Sequence, residues 1–214
     1  MLVCAGTNSR CVVLKKQRIL FYMHMRRIIL ASTSPRRREL FKKLGVPFEV
    51  VASAYEEDMT LALPPRELAV YLARGKAEAV APRYTDAIVI GADTFLVFDG
   101  RVIGKPRDAQ DAAGMLRGLA GKSHAVVTGF YIIDTAYSIH VADAVESIVH
   151  IKELSDDAIA AYIASGEPLD KAGAYAIQGK GAALVDRIEG DYDSIVGLPV
   201  GRIGEVLREF GILT

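Results

Sequence analysis

The chain has 214 residues, of which 51% are hydrophobic, and its 26 lysines and arginines are balanced by 26 aspartates and glutamates. This balance argues against a protein that wraps a nucleic-acid backbone, because it leaves no excess of positive charge to neutralise phosphates. No apolar run approaches the roughly 18 residues that a membrane-spanning helix needs. We therefore expect a globular protein with a full hydrophobic core and no membrane span.

The first 24 residues differ in character from the rest of the chain. They contain both cysteines, Cys4 and Cys11, and end just before Met25. They lack a sustained apolar core followed by a small-residue cleavage site, so they do not resemble a secretory signal. We interpret residues 1–24 as a dispensable extension and residues 25–214 as a single domain. Two cysteines confined to one end indicate neither a disulfide framework nor a zinc cluster, which favours the reducing cytoplasm.

An apolar strand over residues 28–30 leads into a basic helix start. Ser34 can cap this helix, and Pro35 fits its first helical position. Three arginines at 36–38 crowd the first turn, where free backbone N–H groups already leave partial positive charge. A bound polyanion such as a phosphate group would relieve this repulsion. The alternative is a solvated charged face.

Periodicity and turn residues predict the remaining elements in chain order: helix 35–44, strand 46–53, helix 65–81, strand 87–92, hairpin 95–103, helix 108–116, paired strands 125–133 and 138–151, helix 155–164, strand 182–188 and helix 199–210. The glycine-rich stretch 166–181 is either a binding loop or a flexible connector. Strands alternate with helices around one all-β stretch. This order predicts an α/β fold with a mixed sheet and a ligand cleft between two lobes.

Two acids are candidates for chemistry. Asp93 follows the apolar strand 87–92, beside small residues that let a ligand or a backbone approach closely. A carboxylate at a strand end can bind a divalent cation or take a proton from water, and the alternative is an aspartate that caps the next turn. Glu57 offers a second oxygen ligand, since Mg²⁺ typically binds one or two carboxylates plus substrate phosphates. The alternative for Glu57 is a solvated acidic loop.

Two lysines are weaker candidates. Lys105 precedes a proline that can direct its segment back toward the cleft, although it also fits an ordinary turn. Lys76 lies on an amphipathic helix, where lysines are usually solvated. The four histidines show no spacing typical of a zinc site, and neither a nucleophile elbow nor a Walker loop occurs. Phosphate binding would therefore require another scaffold.

Five blocks of sequence, taken together, resemble the Maf family of nucleoside triphosphate pyrophosphatases. They occur in order as Ala-Ser-Thr-Ser-Pro-Arg-Arg at 31–37, Gly-Ala-Asp-Thr at 91–94, Gly-Lys-Pro at 104–106, Asp-Lys-Ala-Gly-Ala-Tyr-Ala-Ile-Gln-Gly at 170–179, and Gly-Asp-Tyr at 190–192 with Gly-Leu-Pro at 197–199. The resemblance implies an elongated α/β fold related to the inosine triphosphate pyrophosphatases, with a mixed sheet, flanking helices and a central cleft between two lobes.

The resemblance also implies roles for individual residues. Asp93 would be the general base that activates water, and Glu57 and Asp93 would bind a divalent cation such as Mg²⁺, Mn²⁺ or Co²⁺. The implied substrate-binding residues are Ser34, Arg37, Lys76 and Lys105. Members that prefer dTTP and UTP carry the residues seen here as Arg36, Thr94 and Gln178, so this chain resembles the pyrimidine type. An amide can both donate to and accept from a pyrimidine edge.

The activity that follows from the resemblance is hydrolysis of dTTP and UTP, or of modified pyrimidine nucleotides, to a nucleoside monophosphate and pyrophosphate. The partner would be a nucleotide, with no nucleic acid and no membrane. A homodimer is compatible with the apolar content. A second hypothesis, drawn from the link between Maf proteins and septum formation, is a nucleotide-binding regulator of cell division. A pure binding module would not need both Glu57 and Asp93.

Overall fold

A computed structural model describes residues 26–59 and 61–214. The predictions about residues 1–24 lie outside this range. The strands are β1 (Arg27–Leu30), β2 (Glu49–Val50), β3 (Ala87–Phe98), β4 (Arg101–Ile103), β5 (Ser123–Asp134), β6 (Ile139–Ile151) and β7 (Val185–Glu189). The α-helices are α1 (Pro35–Lys42), α2 (Pro65–Glu78), α3 (Ala109–Leu119), α4 (Asp156–Ile163), α5 (Tyr192–Val196) and α6 (Val200–Glu209). In this part of the chain, no helix is long and apolar enough to cross a membrane.

The strands form one mixed sheet in the order β2-β1-β3-β5-β6-β7, with β4 attached to β3. Strand β1 runs parallel to both β2 and β3. All other pairs are antiparallel, including the long ladder between β5 and β6. The predicted α/β class with a mixed sheet is therefore confirmed.

The central strand β3 differs from its prediction. The sequence pattern predicts a strand that stops at residue 92, with Asp93 at its end. Instead, β3 continues through Asp93 to Phe98, because β5 pairs with it without interruption from Ile88 to Val97. The placement of Asp93 at a strand end is thus wrong, since two polar residues in a row do not break a strand whose partner satisfies its backbone.

The other edge of β3 explains why polar side chains are tolerated there. In the described residues, β1 pairs with β3 as far as Ile90, and β4 pairs with it from Leu96 onward. Asp93 and Thr94 lie between these two ladders, where the sheet divides. A cleft opens at this division, as the two-lobe prediction requires.

Separate hydrophobic clusters lie on the two sides of the division. One contains β1, α1, the first half of β3 and α6, with Leu30, Phe41 and Ile203 fully or almost fully buried. The other contains the end of β3 together with α3 and α4, and its members include Leu96 and Leu116. These two cores fix the walls of the cleft.

Helix α2 packs against the sheet with almost no space between the two backbones. A Cβ atom on Gly91 would lie 2.2 Å from the carbonyl oxygen of Ala73, and one on Gly129 would lie 2.3 Å from the carbonyl carbon of Ala69. Glycine at both strand positions is therefore required by close approach. The prediction that small residues beside Asp93 admit a neighbouring backbone is confirmed.

Several local signals are confirmed. The Ser34 hydroxyl accepts a hydrogen bond from the amide of Arg37 at 3.4 Å, with Pro35 in the first turn. Asp108 and Ser155 cap α3 and α4. The β3–β4 hairpin turns through Asp99 and Gly100, which both have positive φ. These capping and turn interactions are local, which is why sequence can predict them.

Two strand boundaries differ from their predictions. Strand β2 covers two residues instead of 46–53, because the short β1 pairs with it only through Ile29 and Leu30 in the described chain. Strand β7 begins at Val185 instead of residue 182, because Gly179–Leu184 forms a 3₁₀ helix. The glycine-rich stretch before it contains two further 3₁₀ segments, Glu167–Asp170 and Ala172–Ala174.

Candidate active site

A cleft of about 320 Å³ opens where the sheet divides. All nine residues singled out from the sequence line it: Ser34, Arg36, Arg37, Glu57, Lys76, Asp93, Thr94, Lys105 and Gln178. A larger cavity of about 740 Å³ lies beside β2 and contains none of them. The structure therefore brings together side chains from both sides of the division and from four separate blocks of sequence.

Arg37 is held in a fixed orientation by neutral acceptors. Its Nε donates to the carbonyl oxygen of Gly197 at 2.9 Å, and its Nη2 donates to the hydroxyl of Thr94 at 3.3 Å. The same Nη2 lies 3.9 Å from Oδ1 of Asp93. Burial lowers the pKa of Arg37, although Asp93 and Glu57 oppose this effect. A guanidinium stays charged in proteins, so Arg37 is a positioned, poorly hydrated cation.

Lys76 lies between the two acids. Its Nζ is 2.7 Å from Oε1 of Glu57 and also donates a hydrogen bond to Oδ1 of Asp93. Only 9% of its side chain is exposed, so Lys76 is not the solvated lysine that is usual on an amphipathic helix. Position 76 falls in the last turn of α2, which packs directly against β3 near Gly91. This packing directs the side chain toward Asp93.

Asp93 is a buried carboxylate with an altered affinity for protons. Burial raises its pKa above the usual aspartate range, while Lys76 and Arg37 act in the opposite direction. A higher pKa makes a carboxylate a better proton acceptor at neutral pH. Its backbone pairs with Gly129 in the middle of a continuous ladder, so the side chain stands on a rigid element.

Glu57 and Asp93 together form a donor set that suits a hard divalent cation. Both contact the same ammonium group, which places their oxygens around one point. Mg²⁺ commonly binds one or two carboxylates and takes its other ligands from water and substrate phosphates. Among the described residues, no group of three or more histidines, cysteines, aspartates or glutamates is placed to hold a metal. The residues therefore fit a cation that needs ligands from the substrate.

The charge around the cleft favours a polyanion. Its charged lining residues are Arg36, Arg37, Lys76, Lys105, Lys171, Glu57, Asp93 and Asp170. Lys76 neutralises part of the acidic charge, while Arg36 and Lys105 remain exposed at the surface. This excess of positive charge, in a concave site beside a helix start, supports the phosphate-binding hypothesis over a merely solvated face.

Sequence reasoning missed the residues that support Arg37. The Thr128 hydroxyl lies 2.8 Å from that of Thr94 and 2.7 Å from the carbonyl oxygen of Ser194. Thr94 and Thr128 are paired across β3 and β5. The carbonyl of Gly197, the acceptor for Arg37, follows α5 directly. The block containing Gly197 was visible in the sequence, but its contact with α1 depends on long-range packing.

The site also includes Tyr175, whose hydroxyl lies 2.7 Å from Nε2 of buried His124. Burial, with a contribution from His150, lowers the pKa of His124 to about 4. His124 is therefore neutral at pH 7. His124 contacts this lining residue but does not itself line the cleft.

The sequence is similar to a known protein family over most of its length. The family model described as Maf-like protein matches residues 27–210. The dTTP/UTP pyrophosphatase of Alkaliphilus oremlandii is 49% identical over 185 residues, covering 86% of this chain and 96% of that protein. The proteins of the same name from Methanococcoides burtonii and Pelotomaculum thermopropionicum are 48% and 46% identical, over 88% and 87% of this chain and 97% and 98% of their own.

Among solved structures, the Ham1 protein of Staphylococcus aureus aligns with 74% of this chain and 79% of its own. The alignment has a TM-score of 0.45 and 16% sequence identity.

Proposed function

The chain belongs to the Maf-like protein family, and we propose that it is a nucleoside triphosphate pyrophosphatase that hydrolyses dTTP and UTP. The products are the nucleoside monophosphate and pyrophosphate. The names of relatives that are 46% to 49% identical over nearly their whole length support this activity. The substrate is a free nucleotide.

One observation carries the proposal. A buried carboxylate, Asp93, lies within a few ångströms of two fixed cations, Arg37 and Lys76, at the floor of a cleft. A site that only binds a triphosphate needs the cations alone. A buried acid with a raised pKa beside the phosphate-binding groups favours hydrolysis, because the reaction must remove a proton from water.

In the proposed reaction, the oxygen of a water molecule attacks the α-phosphorus while Asp93 takes a proton from that water. The bond between the α-phosphorus and the oxygen leading to the β-phosphorus breaks, and pyrophosphate leaves. Arg37, Lys76 and Lys105 bind the phosphate oxygens and stabilise the negative charge that develops on the leaving group. Arg37 needs little reorganisation for this role, because Gly197 and Thr94 already fix its plane.

Glu57 and Asp93 would hold the divalent cation on which this chemistry depends. Such an ion, Mg²⁺, Mn²⁺ or Co²⁺, polarises phosphate oxygens and lowers the pKa of bound water. The exposure of Glu57, whose side chain is 44% accessible, leaves room for water and phosphate ligands on its outer side.

Arg36, Thr94 and Gln178 are proposed to select the base. Gln178 is exposed on the wall of the cleft formed by residues 175–178. Its amide presents one acceptor and two donors, which match the alternating carbonyl and N–H groups of thymine and uracil. Ser34 keeps its hydroxyl within the first turn of α1, where it caps the helix that presents Arg36 and Arg37.

A nucleotide panel tests the proposal. The purified protein is incubated with the canonical ribonucleoside and deoxyribonucleoside triphosphates in the presence of Mg²⁺, Mn²⁺ or Co²⁺, and liberated pyrophosphate and orthophosphate are measured separately. We expect pyrophosphate from dTTP and UTP at higher kcat/KM than from the purine nucleotides. Release of orthophosphate would contradict attack at the α-phosphorus, and nucleotide binding without cleavage would favour the regulatory hypothesis.

A further inference from the structure

We propose that Tyr162 and Glu167 form a clasp that sets the position of Gln178 and thereby contributes to base selection. This inference rests on the proposed function, because it takes Gln178 as the residue that reads the base. Neither Tyr162 nor Glu167 lines the cleft. They are positioning residues that act through the backbone on either side of Gln178.

The clasp holds the turn that carries Gln178 at both ends. Before Gln178 in the chain, the Tyr162 hydroxyl accepts a hydrogen bond from the amide of Ala176 at 3.3 Å. After Gln178, the Glu167 carboxylate accepts hydrogen bonds from the amides of Lys180 at 3.0 Å and Gly181 at 3.1 Å. The Tyr162 hydroxyl also donates to Glu167 at 3.0 Å, which joins the two sides.

The backbone closes on itself at this point. A Cβ atom on Gly181 would lie 2.3 Å from the carbonyl oxygen of Ala176 and 2.6 Å from the Tyr162 hydroxyl. Gly179 has a φ of +69°, and a Cβ there would lie 2.8 Å from Oε2 of Glu167. Residues 176 and 181 therefore meet at the clasp, and Gln178 stands at the tip of the turn between them.

Electrostatics fixes the donor and acceptor roles within the clasp. Burial and the neighbouring Glu167 raise the pKa of the Tyr162 phenol, which keeps it protonated and able to donate. Burial tends to raise the pKa of Glu167, but hydrogen bonds from Gly181, Lys180 and Tyr162 outweigh it and lower the pKa. Glu167 is thus a carboxylate at neutral pH and an acceptor for all three donors.

This arrangement matters for selectivity because an amide reads a base only when its oxygen and nitrogen are correctly placed. Short 3₁₀ segments have weaker hydrogen-bond geometry than an α-helix and do not fix a turn by themselves. Hydrogen bonds to a charged acceptor are stronger than neutral ones. The carboxylate of Glu167 therefore supplies rigidity that the 3₁₀ helix Gly179–Leu184 lacks.

The test uses Tyr162→Phe and Glu167→Gln, each alone and combined with Gln178→Ala, in the full chain. In the wild-type background we expect kcat/KM for dTTP and UTP to fall about tenfold, mostly through KM, with a smaller fall for purine nucleotides. In the Gln178→Ala background the same substitutions should lower kcat/KM for dTTP and UTP by less than about twofold, because the side chain that they position is absent. Tyr137→Phe, on a tyrosine that is 72% exposed, is the matched control. It should change kcat/KM for neither the pyrimidine nor the purine nucleotides.

Amide hydrogen exchange gives a readout that is independent of turnover. Tyr162→Phe and Glu167→Gln should speed exchange at Lys180 and Gly181, while exchange along β5 stays unchanged. Changes in kcat/KM that are fully additive with those of Gln178→Ala would overturn the proposal. Unchanged exchange at these two amides would also overturn it. If Glu167→Gln does not fold, Tyr162→Phe retains the ring and decides the question. A wild-type protein that cleaves neither dTTP nor UTP would instead reject the proposed function, and with it the role in base selection.

Discussion

Nη2 of Arg37 lies 3.9 Å from Oδ1 of Asp93, although Arg37 belongs to the first turn of α1 and Asp93 to the middle of β3. Both side chains are largely buried, at 13% and 7% exposure. Fixed neutral acceptors hold the arginine, and Lys76 contacts the aspartate from the opposite helix. The pair therefore joins a candidate phosphate-binding cation to a candidate base at one point of the cleft.

Replacing Asp93 with asparagine keeps the shape of the side chain and removes the proton acceptor. We expect Asp93→Asn to lower kcat for pyrophosphate release at least about a hundredfold, a size typical of losing a general base. Circular dichroism should show a folded protein. Asp99→Asn, on the exposed turn at the end of the same strand, is the control and should leave kcat unchanged. Near-normal turnover by Asp93→Asn would reject the assignment.

Replacing Arg37 with lysine keeps the charge but removes the planar fork that contacts Gly197 and Thr94. We expect Arg37→Lys to lower kcat/KM about tenfold or more, because lysine cannot reproduce this geometry. The neighbouring Arg38→Lys, in a side chain that is 55% exposed, should have little effect. Equal effects of the two variants would indicate that only the overall positive charge of α1 matters.

Gln178→Glu tests base reading without a large change in volume. A carboxylate at this position can only accept hydrogen bonds, and it repels the phosphates of an approaching nucleotide. We expect kcat/KM for dTTP and UTP to fall about tenfold, with a smaller fall for the other nucleotides. Lys180→Gln, which retains the backbone contact to Glu167, is the control. An unchanged substrate profile in Gln178→Glu would count against this residue as the base reader.

His124 predicts how stability depends on pH. Its pKa is lowered to about 4 in the folded state, so between roughly pH 6.5 and 4 the unfolded chain binds a proton that the folded protein does not. The contribution of His124 to stability should therefore be constant above pH 6.5 and fall by about 3 kcal/mol as the pH drops to 4. Urea unfolding at several pH values measures this slope. His124→Gln should flatten it, whereas His140→Gln, at an exposed position, should not.

A shortened chain that begins at Met25 tests the role of residues 1–24. The family match begins at residue 27, and all nine candidate site residues lie beyond it. We expect the shortened protein to fold, with a Tm within a few degrees of the full chain, and to release pyrophosphate at a comparable rate. A soluble, folded but inactive product would show that the first 24 residues contribute to activity.

The sequence predicts features whose causes are local. Helix caps and tight turns depend on neighbouring residues, so they can be predicted without knowledge of the fold. Examples are the cap at Ser34, the turn at Asp99 and Gly100, and the caps of α3 and α4. Seven of the nine site residues lie in four of the five blocks that resemble the Maf family, and all nine line the cleft. Their chemical roles stay predictions.

Features with long-range causes were not predictable in the same way. Asp93 remains inside β3 because β5 supplies an uninterrupted partner, which no residue near position 93 reveals. Lys76 is buried because a whole helix packs on two distant glycines, whereas its own neighbours indicate a solvated face. The late start of β7 follows from amides that bond to Glu167.

The contact between α2 and the sheet at Gly91 and Gly129 has a consequence for catalysis. Lys76 stands on that helix, within the segment from Ala73 to Ala77 that lies against Gly91. Replacing either glycine with alanine would push α2 away from the sheet, and the ammonium group of Lys76 would move away from Asp93. The alignment of the proposed reacting groups thus depends on two hydrogen atoms beneath α2, at strand positions that do not line the cleft.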